Sequence, residues 1–476
     1  MSTSSITHVK HLVVDLDGTL IKTDLFVEQT WQLVKSKPHL FFLLAWKCLT
    51  NRLAAKNFLV EQTELRPETL PFNTFVIERI QDHRSNGSQI HLVSASPDPW
   101  VKSVADHLNL FHGAHGSRTV NLKGARKLKF IKDELKLTEF CYAGNDWADV
   151  PIWSESSEIL AVGPNSRLHG HIKKFAKPYH VIENSTSLSK ALMKQLRVHQ
   201  WIKNVLIFLP LIGAHQFFNL EKLLNGAIAF FSFSLMASFV YTFNDLTDLE
   251  SDRLHPTKKK RSLASGNLDI RLGILLLPAL LIDSLILATM VDLHFLPWLL
   301  VYLGLNFFYS FRLKKVIGLD VILLATMYTI RVMAGGNATN TLVSDWMLSF
   351  STFFFFSLAA VKRSTEIKRQ DQGTLPGRGY SPQDYLIVTC LGVGAGLLSV
   401  LVFLMYLQSE QVRSLYHHPQ TLWLALPGLL YFISRLWILV GRDQVDDDPV
   451  VFAIKDRASW IVLVYLIAVL AFAVRQ

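Results

Sequence analysis

Apolar residues are distributed unevenly along this chain, and the unevenness divides it in two. Up to about Lys194, short apolar stretches alternate with charged ones as in a water-soluble fold; from Trp201 onward long apolar runs are separated by charged loops. The runs fall at roughly 201–219, 223–243, 270–290, 294–309, 316–334, 345–361, 385–407, 421–440 and 457–474, about nine in all, several short enough to need a thinned bilayer. The pattern predicts a soluble domain over residues 1–190 followed by an all-α polytopic membrane domain over residues 195–476. Within the first half, the spacing predicts short buried strands at Leu12–Val14 and Gln89–Val93, and a helical insertion between Asp24 and about Leu70. The apolar stretch His39–Leu49 inside that insertion is too short to span a bilayer, and reads either as the core of a cap or as a patch that docks on the membrane surface. Residues 165–189 carry no motif and read as the end of the soluble fold plus a linker.

Composition agrees with this division and adds sidedness. Half of the 476 residues are apolar and the formal charge is +10, which suits neither a single soluble domain nor a disordered chain. Loops after even-numbered runs hold the cations: Arg253, Lys258 to Arg261 and Arg271; then Arg312, Lys314 and Lys315; then Lys362, Arg363, Lys368, Arg369 and Arg378; then Arg442, Lys455 and Arg457. Loops after odd-numbered runs offer only Lys222 and Arg413. In an inner or plasma membrane this bias puts the N-terminal domain in the cytoplasm and the C-terminus outside. The first ten residues lack an apolar segment of the kind a cleaved signal peptide needs, in keeping with a cytoplasmic domain. Cys48, Cys141 and Cys390 have neither disulfide nor metal-ligand spacing, and no nucleic-acid partner is expected.

The densest chemistry lies at Asn244–Gly266, directly after a membrane-length run. Asn244, Asp248 and Asp252 recur at i, i+4, so a continuing helix stacks them in a column with Asp245 on its flank. Stacked carboxylates repel, and the plainest relief is Mg²⁺, which takes one or two protein carboxylates and leaves its other positions to water and phosphate oxygens. A diphosphate-bearing small molecule is therefore the expected ligand. Lys258, Lys259, Lys260 and Arg261 either neutralise remaining phosphate charge or anchor the loop at the membrane. Arg331, inside the fifth run, reads as lining a cavity, pairing with an acid, or being satisfied structurally. The charged segments from Lys362 to Asp371 and from Asp446 to Arg457 read as further site elements or as solvated loops.

In the first half, His11–Leu20 reads H-L-V-V-D-L-D-G-T-L, a strand that ends in two aspartates whose carboxylates face the same side. This motif, with S-A-S-P after the second strand, N-L-K-G-A-R-K-L, and Y-A-G-N-D-W-A-D-V-P in that order, resembles the haloacid dehalogenase superfamily of phosphotransferases. The resemblance implies a Rossmann-like α/β fold with a helical cap. It implies Asp15 as nucleophile, Asp17 as general acid and base, Ser94 as a phosphate-binding hydroxyl and Lys127 as the phosphate-neutralising lysine, with Lys123 and Lys129 as alternatives. It also implies Mg²⁺ held by Asp15, Asp17, Asp146 and Asp149, although Asn145 departs from the commoner Gly-Asp pattern.

The run N-D-x-x-D-x-x-x-D, followed by H-P-x-K and A-S-G, is similar to the UbiA-type intramembrane prenyltransferases. That resemblance implies nine helices around a cavity, Mg²⁺ held by Asn244, Asp245, Asp248 and Asp252 against a diphosphate, with Asp248 and Asp252 catalytic, and Asp320 as one acid of a second motif. Val316 and Leu324 stand where a paired aspartate would be, which argues against a second metal. L-R-V-H-Q-W-I-K-N at Leu196–Asn204, K-R-S-T-E-I, and D-D-P-V-V-F-A-I-K-D-R are similar to the decaprenyl-phosphate phosphoribosyltransferase branch. The expected partners are a polyprenyl lipid in the membrane and phosphoribosyl pyrophosphate, with Lys203, Arg261, Tyr309 and Lys314 as phosphate contacts. Prenylation of an aromatic acid is the alternative; a carrier fused to a regulatory domain leaves H-P-x-K and A-S-G without a purpose. The topology is open to direct test. A reporter fused after Gln476 is expected to signal from outside the membrane, and a cytosolic signal contradicts the charge-based assignment.

Overall fold

The structure is a computed structural model that describes residues 9–183, 186–369, 378–445 and 448–474. Asp371, Asp446 and Gln476, which the sequence places in charged loops and at the C-terminus, lie outside the described residues. The chain forms two compact units: Met1–Gln195 with Thr242–Leu277, and Leu196–Tyr241 with Pro278–Gln476. The aspartate-rich stretch after the second apolar run therefore packs with the first unit.

The first unit is built on a parallel sheet of six strands: β1 His11–Val14, β2 Gln89–Pro97, β3 Gly113–Ser117, β4 Cys141–Gly144, β5 Glu158–Val162 and β6 Tyr179–Ile182. Their order is β3-β2-β1-β4-β5-β6. Period-two alternation sorts the side chains onto two faces. Leu12, Val14, Ile90, Leu92, Cys141, Ala143, Leu160 and Val162 enter one buried cluster; Val13, Val93, Tyr142, Ile159 and Ala161 enter the other. Successive strands are added to one side of β1 and then to the other, so the crevice at the carboxyl ends of β1, β2 and β4 is the switch point where α/β sheets hold their ligands. The insertion after β1 folds as helices Leu25–Ser36, Phe41–Thr50 and Arg52–Gln62, whose Leu25, Leu33, Leu44, Ala55 and Leu59 extend the first cluster over that crevice. Asp24 and Asn51 cap two of these helices by accepting from first-turn amides, which fixes where each begins.

Six helices among the described residues are long and apolar enough to cross a membrane: Leu220–Thr247, Ile270–Val291, Leu319–Ala338, Pro382–Leu407, Pro419–Gly441 and Arg457–Val474. Leu296–Phe311 is apolar but shorter, and Asp345–Lys368 is long but ends in Lys362, Arg363, Glu366 and Lys368. The first expected run, 201–219, is not one membrane-length helix. It forms a 3-10 stretch, Val198–Phe208, and a short helix, Leu209–Gly213, with Pro210 in its first turn, where a missing amide hydrogen does no harm.

Within the second unit, Leu319–Ala338 packs directly on the Val198–Phe208 stretch. A Cβ on Gly335 would lie 2.0 Å from the Ile207 carbonyl oxygen, so the backbones meet at a distance that only glycine permits. Gly335→Ala is expected to cost on the order of 2 kcal/mol and to lower the melting midpoint of the detergent-solubilised protein by several degrees. A midpoint within about 1 °C of the parent contradicts this close approach.

Candidate active sites

The crevice of the first unit assembles the phosphotransferase residues. Asp15 leaves the end of β1, and its Oδ1 accepts from Leu16 N–H at 2.8 Å and from Lys127 Nζ at 2.8 Å. Of the three candidate lysines, Lys127 is the buried one; Lys123 and Lys129 are exposed. Lys127 also donates to the Tyr142 hydroxyl at 2.9 Å, which donates in turn to Asp149 Oδ1 at 2.8 Å. The other Asp149 oxygen accepts from the amides of Asn145 and Asp146, so this acid holds the loop and the lysine from behind. Asp146 is exposed at the cavity wall.

Asp17 is oriented just as fully. Its Oδ1 accepts from Leu25 N–H at 2.8 Å, and its Oδ2 accepts from Ser96 Oγ at 2.6 Å and Ser94 Oγ at 3.2 Å. Burial pushes the Asp15 carboxyl up to about 7 against the pull of Lys127, with Asp149 and Asp17 adding to the rise. Burial, then the nearby Asp24, also raises Asp17, which favours the protonated form that a general acid needs. Gly18 turns the chain between these aspartates and Thr19 with a φ of +74°, and a Cβ there would lie 2.2 Å from the Asn145 side chain. The first and last motifs are thus in contact.

The cavity above these groups measures about 1110 Å³ and is also lined by Lys22, Arg52, Lys56, Lys123 and Arg271. Lys56 reaches in from the helical insertion, with its Nζ 3.0 Å from Asn121 Oδ1. Sequence reasoning missed Ser96, Tyr142 and Lys56. The period-two spacing of Ser94 and Ser96 is the signal that pointed to the first; nothing local marks the other two.

The aspartate-rich segment is folded against the same unit. Helix Leu220–Thr247 ends before Asp248 and a short helix, Leu249–Leu254, follows, yet the i to i−4 bonding runs on through Asp248 N–H to Asn244 O and Asp252 N–H to Asp248 O. The column register therefore survives the break. The buried acids, however, are Asp252 of the column and Asp245 on its flank, whereas Asp248 is exposed and Asn244 half-buried. Arg261 Nη1 binds Asp245 Oδ1 at 2.9 Å and Asp252 Oδ2 at 2.5 Å; Lys258 lies 3.9 Å from Asp252, and Gln195 donates to Asp245 Oδ2 at 3.0 Å. Burial raises the Asp252 carboxyl even with Arg261 beside it.

Helix Leu25–Ser36 secures the segment. Trp31 Nε1 donates to Leu246 O at 2.8 Å and Lys35 Nζ to Thr247 O at 2.5 Å, capping carbonyls in the helix's last turn. Arg253 makes a buried bidentate pair with Glu28, at 2.6 and 3.1 Å. Among the described residues no cluster of three acid, histidine or cysteine side chains is poised as a ready metal cage. Two buried carboxylates on one cation are nonetheless a hard-oxygen donor set that suits Mg²⁺ completed by phosphate and water.

The second unit holds the remaining candidates in separate clusters. Lys203 is ion-paired with Asp448. Asp320 is fully buried, paired with Arg363, and accepts from the Tyr380 hydroxyl at 2.6 Å. Arg378 lies 3.8 Å from Asp320 and 3.3 Å from Glu366, and donates to the Tyr309 hydroxyl at 2.8 Å. Glu366 is thus the acid that shares this cluster with Asp320, and no i±4 spacing from Asp320 marked it. Arg331 is held by Asn204 at 2.7 Å and Tyr302 at 3.0 Å, under the faces of Tyr302 and Tyr328. These partners, and the Met327 carbonyl to which it also donates, are all neutral. Lys314 is half-buried in the turn Leu313–Lys315.

Comparison with known proteins covers both halves. The UbiA prenyltransferase family matches residues 205–373, and the haloacid dehalogenase-like hydrolases match residues 12–153. A Sinorhizobium fredii protein, y4nM, is 34% identical over 95% of this chain and 88% of its own length. The decaprenyl-phosphate phosphoribosyltransferase of Mycobacterium tuberculosis is 35% identical over 191 residues, 39% of this chain and 63% of that enzyme. A solved UbiA homologue from Archaeoglobus fulgidus bound to GPP and Mg²⁺ aligns over 59% of this chain and 99% of its own, at 17% identity and a TM-score of 0.45. The chain is an integral membrane enzyme that carries a UbiA prenyltransferase family domain and, ahead of its membrane helices, a haloacid dehalogenase-like hydrolase domain.

Proposed function

We propose that this enzyme transfers 5-phosphoribose from phosphoribosyl pyrophosphate to a polyprenyl phosphate, and that its N-terminal domain then removes the 5-phosphate from the product. The observation that carries the reading is the shared unit. Gly266, Asn267, Asp269 and Arg271, just downstream of the aspartate-rich segment, line the same cavity as Asp15 and Asp17. A phosphoribosylated lipid bears a phosphomonoester for that cavity, whereas a prenylated aromatic acid bears none. The similarity to a decaprenyl-phosphate phosphoribosyltransferase supports the same choice. Residues 1–190 then serve the hydrolase and 195–476 the transferase, with both sites on the cytoplasmic side.

In the transfer step an oxygen of the lipid phosphate attacks the anomeric carbon while that carbon's bond to diphosphate breaks. Asp245 and Asp252, with Asn244 and Asp248, would hold Mg²⁺, which supplies neutralisation of the departing diphosphate. Arg261 lies between the two buried carboxylates and exchanges their charge for that of the phosphate groups. In the hydrolytic step the Asp15 carboxylate attacks phosphorus, the ester P–O bond breaks, and Asp17 gives its proton to the leaving oxygen. Asp17 then takes a proton from water, which attacks the aspartyl phosphate and releases inorganic phosphate. Lys127 neutralises the phosphoryl oxygens, Ser94 orients them, and Asp15, Asp17 and Asp146 would hold a second Mg²⁺ while Asp149 steadies Lys127 and the loop.

Membranes offered radiolabelled phosphoribosyl pyrophosphate with polyprenyl phosphate, or an aromatic acid with polyprenyl diphosphate, separate the readings. The expected result is a labelled ribosyl lipid from the first pair. Asp15→Asn should leave transfer intact, accumulate the phosphorylated lipid and slow hydrolysis by on the order of a hundredfold or more. Asp248→Asn should lose transfer and keep hydrolysis of p-nitrophenyl phosphate. Prenylation of the aromatic acid, with no label incorporated from phosphoribosyl pyrophosphate, overturns the proposal.

A further inference from the structure

Helix Phe41–Thr50 of the insertion has two faces with opposite environments. Leu44 is 2% exposed and enters the buried cluster above the sheet, while Ala45 and Cys48 line the wall of the hydrolase cavity. Phe42, Trp46 and Leu49, at i, i+4 and i+7, form a stripe on the other side that is 79%, 65% and 85% exposed. Phe41 and Leu43 widen it. A stripe of large apolar side chains this exposed marks an interaction site rather than ordinary surface. At ten residues the helix is too short to cross a bilayer but suited to lie in its surface.

Charge favours a lipid surface as the occupant. Residues 35–56 contain Lys35, Lys37, Lys47, Arg52 and Lys56 and no acid, and an anionic headgroup layer complements such a segment. Tryptophan and phenylalanine are also the side chains that settle at the headgroup level. The chain's own membrane helices keep a bilayer at hand throughout its life.

We propose that helix Phe41–Thr50 is an interfacial anchor, its Phe42, Trp46 and Leu49 stripe embedded among lipid headgroups, and that the cavity on its inner side takes a phosphomonoester borne by a membrane lipid. This rests on reading the N-terminal domain as a phosphomonoesterase. The cavity, at about 1110 Å³, is far larger than a phosphate group requires and accommodates a sugar headgroup with the start of its lipid. Leu49 belongs both to the exposed stripe and to the cavity lining, so lipid and headgroup meet at that edge.

The test uses the full chain in vesicles of phosphatidylcholine and phosphatidylglycerol, with p-nitrophenyl phosphate as soluble substrate and a polyprenyl-phosphoryl-ribose 5-phosphate as lipid-borne one. Changing Phe42 and Trp46 together to Ser should raise KM for the lipid substrate on the order of tenfold or more, with kcat and soluble hydrolysis unchanged, because two anchoring side chains are lost and no group that lines the cavity. Changing Phe42 and Trp46 to Leu should restore the parent KM. Equal loss on both substrates, or no change on either, overturns the proposal. A second arm reads docking without turnover. A fluorophore on Trp46→Cys, with Cys48 and Cys390 changed to Ser, should be quenched by headgroup-labelled lipid. Absence of quenching, or cross-linking of two chains through that cysteine, overturns lipid docking. Quenching without any Asp15-dependent hydrolysis faults the phosphatase reading instead.

Discussion

Two buried carboxylates that share one guanidinium dictate much of how the first unit is folded. Asp245 lies in the last turn of a membrane-length helix and Asp252 in the short helix that follows, each almost without solvent, and buried charges of one sign persist only with a partner. Arg261 is that partner, and it lies nine residues beyond Asp252, so the intervening chain must fold back on itself. The return is held by Ser262 donating to Ala191 O and by Leu263 and Leu268 packing with Leu246, Leu249 and Ile270. Removing the guanidinium would strand two desolvated carboxylates, a loss of roughly 3 to 5 kcal/mol in comparable buried pairs. The same poise suits function. A site whose acids are already desolvated around one cation gains more from an incoming metal–diphosphate complex than a solvated one does.

The hydrolase residues show the same economy of charge. Lys127 stands between Asp15 and the Tyr142–Asp149 pair, so Asp15 and the loop of the last motif are fixed by one ammonium. What joins this chemistry to the aspartate-rich segment is helix Leu25–Ser36. It begins beside Asp17, whose carboxylate accepts from Leu25 N–H, and its Glu28, Trp31 and Lys35 hold Arg253 and the helix end at Leu246 and Thr247. One short helix therefore orients Asp17 at its N-terminus and supports the aspartate-rich segment along its length. Under the proposed sequence of transfer and hydrolysis, fusion would raise the local concentration of the first product for the second site.

Much of this was legible because the signals were local. The first two strands, the paired aspartates that end the first, the glycine turn, and the apolar runs follow from period, spacing and length alone, and the structure places β1, β2 and most of the helices where those patterns put them. Long-range pairings were not legible. Lys127 is distinguished from Lys123 and Lys129 only by reaching Asp15, more than a hundred residues away. Glu366 joins Asp320 through Arg363 on its own helix and through Arg378, and Arg331 is satisfied by Asn204, Tyr302 and the Met327 carbonyl rather than by an acid, because two cation–π faces and three oxygens meet its needs within an apolar bundle. The i, i+4 column was read correctly in register, yet burial selected Asp245 and Asp252, which are i, i+7, as the pair that faces the cation. The first apolar run has the composition of a span but carries Asn204, Pro210 and Gly213, and it folds in two short pieces.

The most direct test of the central claim is equilibrium binding of phosphoribosyl pyrophosphate to the purified full chain, by calorimetry, with and without Mg²⁺. Binding is expected only with the metal, and Asp252→Asn should weaken it on the order of a hundredfold, since one of two buried charges facing the diphosphate is gone. Binding of polyprenyl diphosphate with the same metal dependence, and no binding of phosphoribosyl pyrophosphate, would contradict the account.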